Sequence, residues 1–389
     1  MGYHGRFERE QPKKKKRGLK ITLIVLAVLL VLVIGAVIAG VMYYNSILNN
    51  FNHVEVPKIQ YTTQATEPTD AVSATAAEAE ATEEATVETT EPAHVPSSED
   101  YINILVVGQA SRAGESKDSE RMADTAILCT INKYEKKLTL TSFLRDALVR
   151  PPDFKGHTFG KIKLTTVYHL GSYYSNGDIA GSMQLMNMTL YDSFGIEVDY
   201  NVEVDFDALI KAIDVLGGVS IELTQEEANY MNDPAQDAWV GYDVQPGWNW
   251  LDGSGALCYA RMRKAEGDAD SDIKRTARQR QLINQVVRCA KDIVVNFSLS
   301  KVQELATEVL PYITTSMTNQ EMTNLMMELL PMLPDLKVET GGTCPVEGTA
   351  RGAEVDIYGD GMYHSVMIIE SFEQQKKLMR AITEGEVAN

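Results

Sequence analysis

The residues with the strongest claim to chemistry lie between Leu257 and Ala290, in the stretch LCYARMRKAEGDADSDIKRTARQRQLINQVVRCA. It holds Arg261, Arg263, Arg275, Arg278, Arg280 and Arg288 inside a chain whose formal net charge is -18. An acidic protein that gathers arginines in one place is built to hold an anion there. Arginine rather than lysine suits phosphate, because its planar fork donates paired hydrogen bonds and keeps its charge when partly buried. After the acidic loop GDADSD a helix is expected to start near Asp272, whose carboxylate favours the positive helix N-terminus. Leu282, Ile283, Val286, Val287, Ala290, Ile293 and Val294 then recur with helical period. Traced back by one turn and then another, the same stripe passes through Gln279 and Arg275. These two polar side chains therefore face the core side, where they need partners. Arg278, Arg280 and Arg288 read instead as a solvated face.

The elements around this stretch read as alternating strands and helices. Ile102–Val107 is a buried strand. Ala126–Asn132 and Leu138–Phe143 form a hairpin across the turn KYEKK, and Arg145 and Asp146 follow it. A helix spans Asp178–Phe194 and stops at Gly195. Tyr200–Asp205 is a strand, Phe206–Leu216 a helix, and Gly217 with Gly218 turns the chain into the strand VSIEL. The fold class is α/β, a mixed central sheet covered by helices. Beyond the arginine-rich helix come helices at Lys301–Leu310 and Asn319–Leu330, strands near Leu336–Glu339 and Ala353–Tyr358, and a last helix at Ser371–Ile382.

The first hundred residues are of another kind. Residues 1–20 are a hydrophilic basic tail with the run Lys13, Lys14, Lys15, Lys16 and Arg17. Residues 21–44 carry no charge. A helix of that length reaches about 36 Å at 1.5 Å per residue, enough for a bilayer core of about 30 Å. Its length and the flank Met42, Tyr43, Tyr44 favour an uncleaved single-pass anchor over a signal peptide. The basic cluster would keep the N-terminus cytoplasmic and place the rest outside the cell membrane. Topology accounts for the lysine run better than nucleic-acid binding does. Residues 45–100 are expected to be a disordered acidic Thr/Ala/Glu tether, which contributes much of the negative charge. The domain plan is then a catalytic domain at 101–295 and a C-terminal extension at 296–389.

Other chemistries find little support. Cys129, Cys258, Cys289 and Cys344 leave their pairing open, and Cys129, inside AILCTIN, reads as a buried small hydrophobe. No CxxC or HExxH is present, so a zinc site is not expected. Gly253-Ser254-Gly255 lacks the Gly-x-Ser-x-Gly frame of a nucleophile elbow.

The order of motifs is recognisable. NILVVG, ADTAILCTIN, TSFLRD, KLTTVYHLG, VEVDFDALIKAIDVLGGVSI, LDGSGALCYARMR and DIKRTARQRQ follow one another, and this series resembles the LytR-CpsA-Psr family over about residues 101–295. The basic tail, single membrane helix and C-terminal CPVEGTARGAEVDIYGDGMYHSV fit its Gram-positive members. The resemblance implies an extracytoplasmic phosphotransferase that moves a glycopolymer from a polyprenyl-pyrophosphate carrier onto peptidoglycan, with Mg²⁺ nearby. By motif position it implies catalytic roles for Asp124, Arg145, Arg263 and Arg275. It implies pyrophosphate binding by Arg112, Lys163, Arg261, Arg263, Arg275 and Gln279, and metal binding by Asp124. One departure stands out: Ala110 occupies the first-loop position where the family has an aspartate, leaving Glu115, Asp118 or Glu120 as substitutes, or Asp124 alone. A polyprenyl-pyrophosphate hydrolase and a non-catalytic envelope regulator or lipid-carrier binding protein are the competing readings. The sequence leaves the polymer, the general base and the oligomeric state open.

Overall fold

The computed structural model describes residues 48–59, 97–109, 122–236, 241–262, 271–296 and 298–385. The segment 21–44 read as a membrane anchor, the tail before it, and the first-loop residues Ala110, Arg112, Glu115, Asp118 and Glu120 lie outside these, as does Arg263. Among the described residues no helix is long and apolar enough to cross a membrane.

In chain order the strands are β1 (Asn52–His53), β2 (Tyr101–Gly108), β3 (Thr125–Asn132), β4 (Lys137–Phe143), β5 (Leu148–Val149), β6 (Ile162–Lys163), β7 (Tyr200–Val204), β8 (Val219–Leu223), β9 (Gly247–Leu251), β10 (Ile313–Thr315), β11 (Lys337–Cys344), β12 (Ala350–Val355) and β13 (His364–Ile369). The helices are α1 (Leu164–Tyr173), α2 (Ile179–Phe194), α3 (Phe206–Leu216), α4 (Gln225–Asn232), α5 (Gly253–Arg261), α6 (Ser271–Val295), α7 (Leu299–Glu308), α8 (Asn319–Leu329) and α9 (Phe372–Thr383). Seven strands form one mixed sheet in the order β1-β10-β7-β2-β3-β4-β11. The β2–β3 and β3–β4 pairs are antiparallel, as the hairpin reading required, whereas β2–β7 and β4–β11 are parallel.

The central strands are apolar on both faces because both faces are covered. On β2, Ile104 and Val106 join the core beneath α3, α5 and α6, while Leu105 and Val107 join a second core beneath α1 and α2. The stripe Leu282, Ile283, Val286, Val287 and Ala290 on α6 is at most 3 % exposed. Each of its larger side chains contributes about 1.5–3 kcal/mol by leaving water. Helix starts are fixed by carboxylates: Asp178, Asp205 and Asp252 accept hydrogen bonds from the backbone N–H groups of Ala180, Ala208 and Gly255. Gly195 and Gly217, both with positive φ, end α2 and α3.

Two boundaries need correction. Residues 48–59 are not part of a disordered tether. Leu48 and Phe51 are buried in the main core, and β1 runs parallel to β10 at the sheet edge. The physical reason lies in Leu48 and Phe51, with Val54 and Val56 close behind, a density of apolar residues that the Thr/Ala/Glu stretch after them does not reach. Nor does the α/β domain end at residue 295. The strands β10 and β11 belong to the central sheet, and Met379 of α9 packs into the second core. The start of β11 is expected near Leu336–Glu339, but its place in the central sheet is not, and β10 is too short to stand out in the sequence.

Candidate functional site

The site grows from the ends of four elements. After β4 the chain turns through Arg145 and Asp146. The first amides of α1, which have no partner inside their own helix, bond to this turn: Leu164 N–H donates to Ala147 and Thr165 N–H to Arg145, both at 2.9 Å. The turn is pinned a second time where Lys163 Nζ meets Asp146 at 2.9 Å. Asp124, at the start of β3, is 2 % exposed and accepts from Arg145 Nη1 at 2.9 Å. The first turn of α6 then brings Asp272 to 2.8 Å from Arg275 Nη1 and to 4.0 Å from Arg145 Nε. Arg145 Nε also lies 3.5 Å from Asp146.

The electrostatics follow from this packing. Burial pulls the Arg145 pKa down, but Asp146, Asp124 and Asp272 more than offset it, and the guanidinium is held firmly charged. Burial raises the Asp146 carboxyl, yet Arg145, a hydrogen bond with Asp272 and Lys163 leave it below its ordinary value. Three cations and three carboxylates thus interlock around one point. Asp272 is its most open member, its side chain 38 % exposed.

Arg275 and Gln279 are buried, at 1 % and 3 % exposure, as the helical stripe required. The Gln279 amide joins two elements: its oxygen accepts from Thr125 at 3.4 Å and its nitrogen donates to the Ala260 carbonyl at 3.3 Å. Gln279 therefore ties the start of β3 to the last turn of α5. Arg261 ends α5 with its guanidinium 5.4 Å from the Phe206 ring centroid. Arg112 and Arg263 lie outside the described residues.

The reading of Arg278 as solvated is overturned. It is 5 % exposed, paired with Glu227 at 3.4 Å and bonded to the Met262 carbonyl at 2.7 Å. Arg280 is also largely withdrawn from water, and burial lowers its pKa. The sequence pattern missed both because α6 packs on β8 and α5 as well as on the sheet, leaving only part of its circumference to solvent. Asp272 was legible as a helix start, but not as the carboxylate shared by two motifs.

Two alternatives lose their footing. At Gly253-Ser254-Gly255, a side chain at 253 would collide with the Ile210 backbone, so this glycine serves the close approach of α5 to α3. The four cysteines are free thiols, and burial pushes Cys258 up to about 11 despite nearby Arg261, which keeps it protonated at neutral pH.

Residues 61–376 match the model of the LytR_cpsA_psr family. The chain belongs to the LytR-CpsA-Psr family. It is 29 % identical over 214 residues to biofilm regulatory protein A of Streptococcus mutans, covering 53 % of this chain and 48 % of that one. It is 30 % identical over 196 residues to the polyisoprenyl-teichoic acid–peptidoglycan teichoic acid transferase TagT of Bacillus subtilis, covering 50 % and 54 %. The chain thus spans about half the length of the curated relatives it matches. Among solved structures, protein gbs0355 of Streptococcus agalactiae superimposes with a TM-score of 0.57 at 23 % identity, over 74 % of this chain and 89 % of the other. TagT bound to LIIa-WTA superimposes with a TM-score of 0.52 at 22 % identity, over 74 % and 92 %. Both share the mixed α/β fold of the LytR-CpsA-Psr proteins.

Proposed function

We propose that this LytR-CpsA-Psr chain is a membrane-anchored extracellular phosphotransferase that moves a glycopolymer from a polyprenyl-pyrophosphate carrier onto peptidoglycan. The observation that carries the reading is the convergence of Arg145 and Arg275, from two separate motifs, on the half-open carboxylate of Asp272. Two fixed guanidinium forks around an exchangeable anion make a seat for a pyrophosphate. Its oxygens would replace Asp272, and Asp124 and Asp146 would keep Arg145 aimed.

In the reaction, an acceptor hydroxyl attacks the phosphorus that carries the glycopolymer. A new phosphorus–oxygen bond forms, the bond to the bridging oxygen breaks, polyprenyl phosphate leaves, and the hydroxyl proton passes to solvent base. Catalysis of this kind is mostly positioning and stabilisation of negative charge. Arg145 and Arg275, with Arg261, Arg263 and Arg112, supply the positive charge. Lys163 fixes Asp146, and Gln279 holds the α5 terminus in place. Among the described residues no group of three or more acidic, histidine or cysteine side chains is arranged to hold a metal ion, the clamp's three carboxylates being engaged with its cations. The hard carboxylate of Asp124 still fits Mg²⁺, which commonly takes one or two carboxylates and fills its shell with phosphate oxygens and water. When bound, Mg²⁺ would neutralise phosphate charge. The charge-free segment 21–44 supports the anchor, with the N-terminus cytoplasmic.

The test is transfer of a labelled glycopolymer from polyprenyl pyrophosphate to peptidoglycan by the full chain. The wild type is expected to form a product that contains acceptor, and Arg275→Ala to form it about 10²-fold or more slowly. Release of polymer to water alone would establish the hydrolase, and carrier binding without turnover would establish the non-catalytic binder.

A further inference from the structure

A second surface is built for a ligand away from the arginine cluster. Trp248 and Trp250 are 64 % and 65 % exposed, the two residues between which Asn249 turns to the opposite face of β9. Two positions along a strand put their side chains on one face with Cα atoms roughly 7 Å apart, on the scale of neighbouring sugar rings. Large exposed aromatics on one face mark a binding surface more often than chance.

This pair is also held in place. The Trp250 indole N–H donates to the Gly217 carbonyl at 2.7 Å. The ring lies over Gly218, whose φ of +99° and missing side chain leave the only room for it. An exposed ring fixed in this way loses little freedom when a ligand covers it, which is the benefit of preorganisation.

The face adjoins an open pocket of mixed lining. Trp248 stands opposite Glu222 in the β8–β9 pair, and Glu222 lines a cavity of about 520 Å³ with Thr224, Tyr259, Lys274, Arg278 and Gln281. Both donors and acceptors line it, and Tyr259 and Gln281 are already joined at 2.7 Å. Pocket and clamp share one helix. Lys274 and Arg278 line the pocket, while their neighbours Arg275 and Gln279 face the sheet side. Arg278 bonds the Met262 carbonyl, one residue beyond Arg261.

We propose that Trp248 and Trp250 with the adjoining pocket form the subsite for the glycan strand of the acceptor. The proposal rests on the transferase reading given above. Apolar faces of N-acetylated sugar rings stack on the indoles, and their hydroxyl and acetamide groups bond in the pocket. A strand laid this way runs toward the end of α5 and presents a hydroxyl to the clamp. Glu222 beside Trp248 disfavours both a phosphate-dense polymer and an anionic bilayer on this face.

The test has a binding arm and a turnover arm, both on the full chain in detergent. Two of its three tryptophans lie on this face, so intrinsic fluorescence reads the ligand directly. An N-acetylglucosamine tetramer is expected to quench emission saturably, and Trp248→Ala/Trp250→Ala to weaken its binding at least tenfold. Trp248→Phe/Trp250→Phe, which keeps stacking rings, is expected to retain most of the affinity as measured by calorimetry. In the transfer assay the alanine variant is expected to raise the half-saturating acceptor concentration and leave that of the donor unchanged. Trp248→Ala alone, which spares the Gly217 bond, guards against misfolding. No tetramer binding by the wild type, or equal binding by the alanine variant, overturns the subsite even if transfer proceeds. So does a tryptophan signal that follows phosphatidylglycerol vesicles or poly(glycerol phosphate) and not the tetramer. Normal tetramer binding with no transfer by the wild type overturns the transferase reading and leaves a glycan-binding surface.

Discussion

Arg145 and Arg275, placed far apart in the chain, share one carboxylate: Asp272 lies 2.8 Å from Arg275 Nη1 and 4.0 Å from Arg145 Nε. The first of these arginines follows a central strand, and the second sits on the long helix that covers the sheet. Their meeting decides what each can be asked to do.

Arg275→Ala should lower transfer by about 10²-fold or more, the usual cost of removing one charge-stabilising donor. Arg145→Lys should also fail to restore normal rates, because an ammonium cannot reach Asp124, Asp146 and a phosphate with one planar fork. Single-turnover rates for both variants, beside unchanged circular dichroism, check this. Wild-type rates in Arg145→Lys would show that geometry at Arg145 is unimportant.

Asp124→Ala should destabilise the fold as well as slow the reaction, since it strips a buried partner from Arg145. Loss of one member of a buried pair costs about 3–5 kcal/mol. Asp146 and Asp272 remain beside Arg145, which places the expected value at the lower end. Urea unfolding measures it.

The Asp146 carboxyl sits below its ordinary value of 3.8 in the folded state. A depressed folded pKa means that ionised Asp146 contributes stability fully above that ordinary value and loses it as pH falls through the folded one. The stability difference between wild type and Asp146→Asn should therefore be constant near neutrality and shrink below about pH 4. Urea midpoints of both proteins across acidic pH report it; a difference that grows on acidification would contradict the network.

Gln279→Leu should leave the Thr125 hydroxyl and the Ala260 carbonyl without their partner. Unsatisfied buried groups cost about 1–3 kcal/mol each. Because Gln279 anchors the α5 terminus, transfer should fall as well, with the donor half-saturation rising as Arg261 shifts. Thermal melts and donor titrations separate the two effects.

Transfer should rise with added Mg²⁺ and fall with a chelator, and Asp124→Asn should blunt that response. A flat titration would remove the metal from the mechanism and fit the presence of Ala110 in the first loop.

Much of this was legible in local pattern. The continuous apolar runs of β2 and β3, the alternation along β4 and the helical period of α6 depend only on neighbouring residues, so they could be read one segment at a time. The same holds for the burial of Arg275 and Gln279, which follows from the phase of one helix. Arg278 shows the limit. Its position on α6 lies off the stripe that faces the sheet, yet Glu227 of α4 and the end of α5 close over it.

By itself the sequence determined the strands and helices of the sheet's centre, the order of motifs, and the arginines as an anion-binding set. Those properties are set by hydrophobic period, capping residues and side-chain chemistry, all encoded locally. Tertiary structure alone decided that residues 48–59 and strands β10 and β11 complete the sheet, since edge pairing joins segments far apart in the chain. It also decided that Asp272 bridges two motifs and that Trp248 and Trp250 face outward beside an open pocket, because contact between distant residues depends on how elements pack and not on their spacing along the chain.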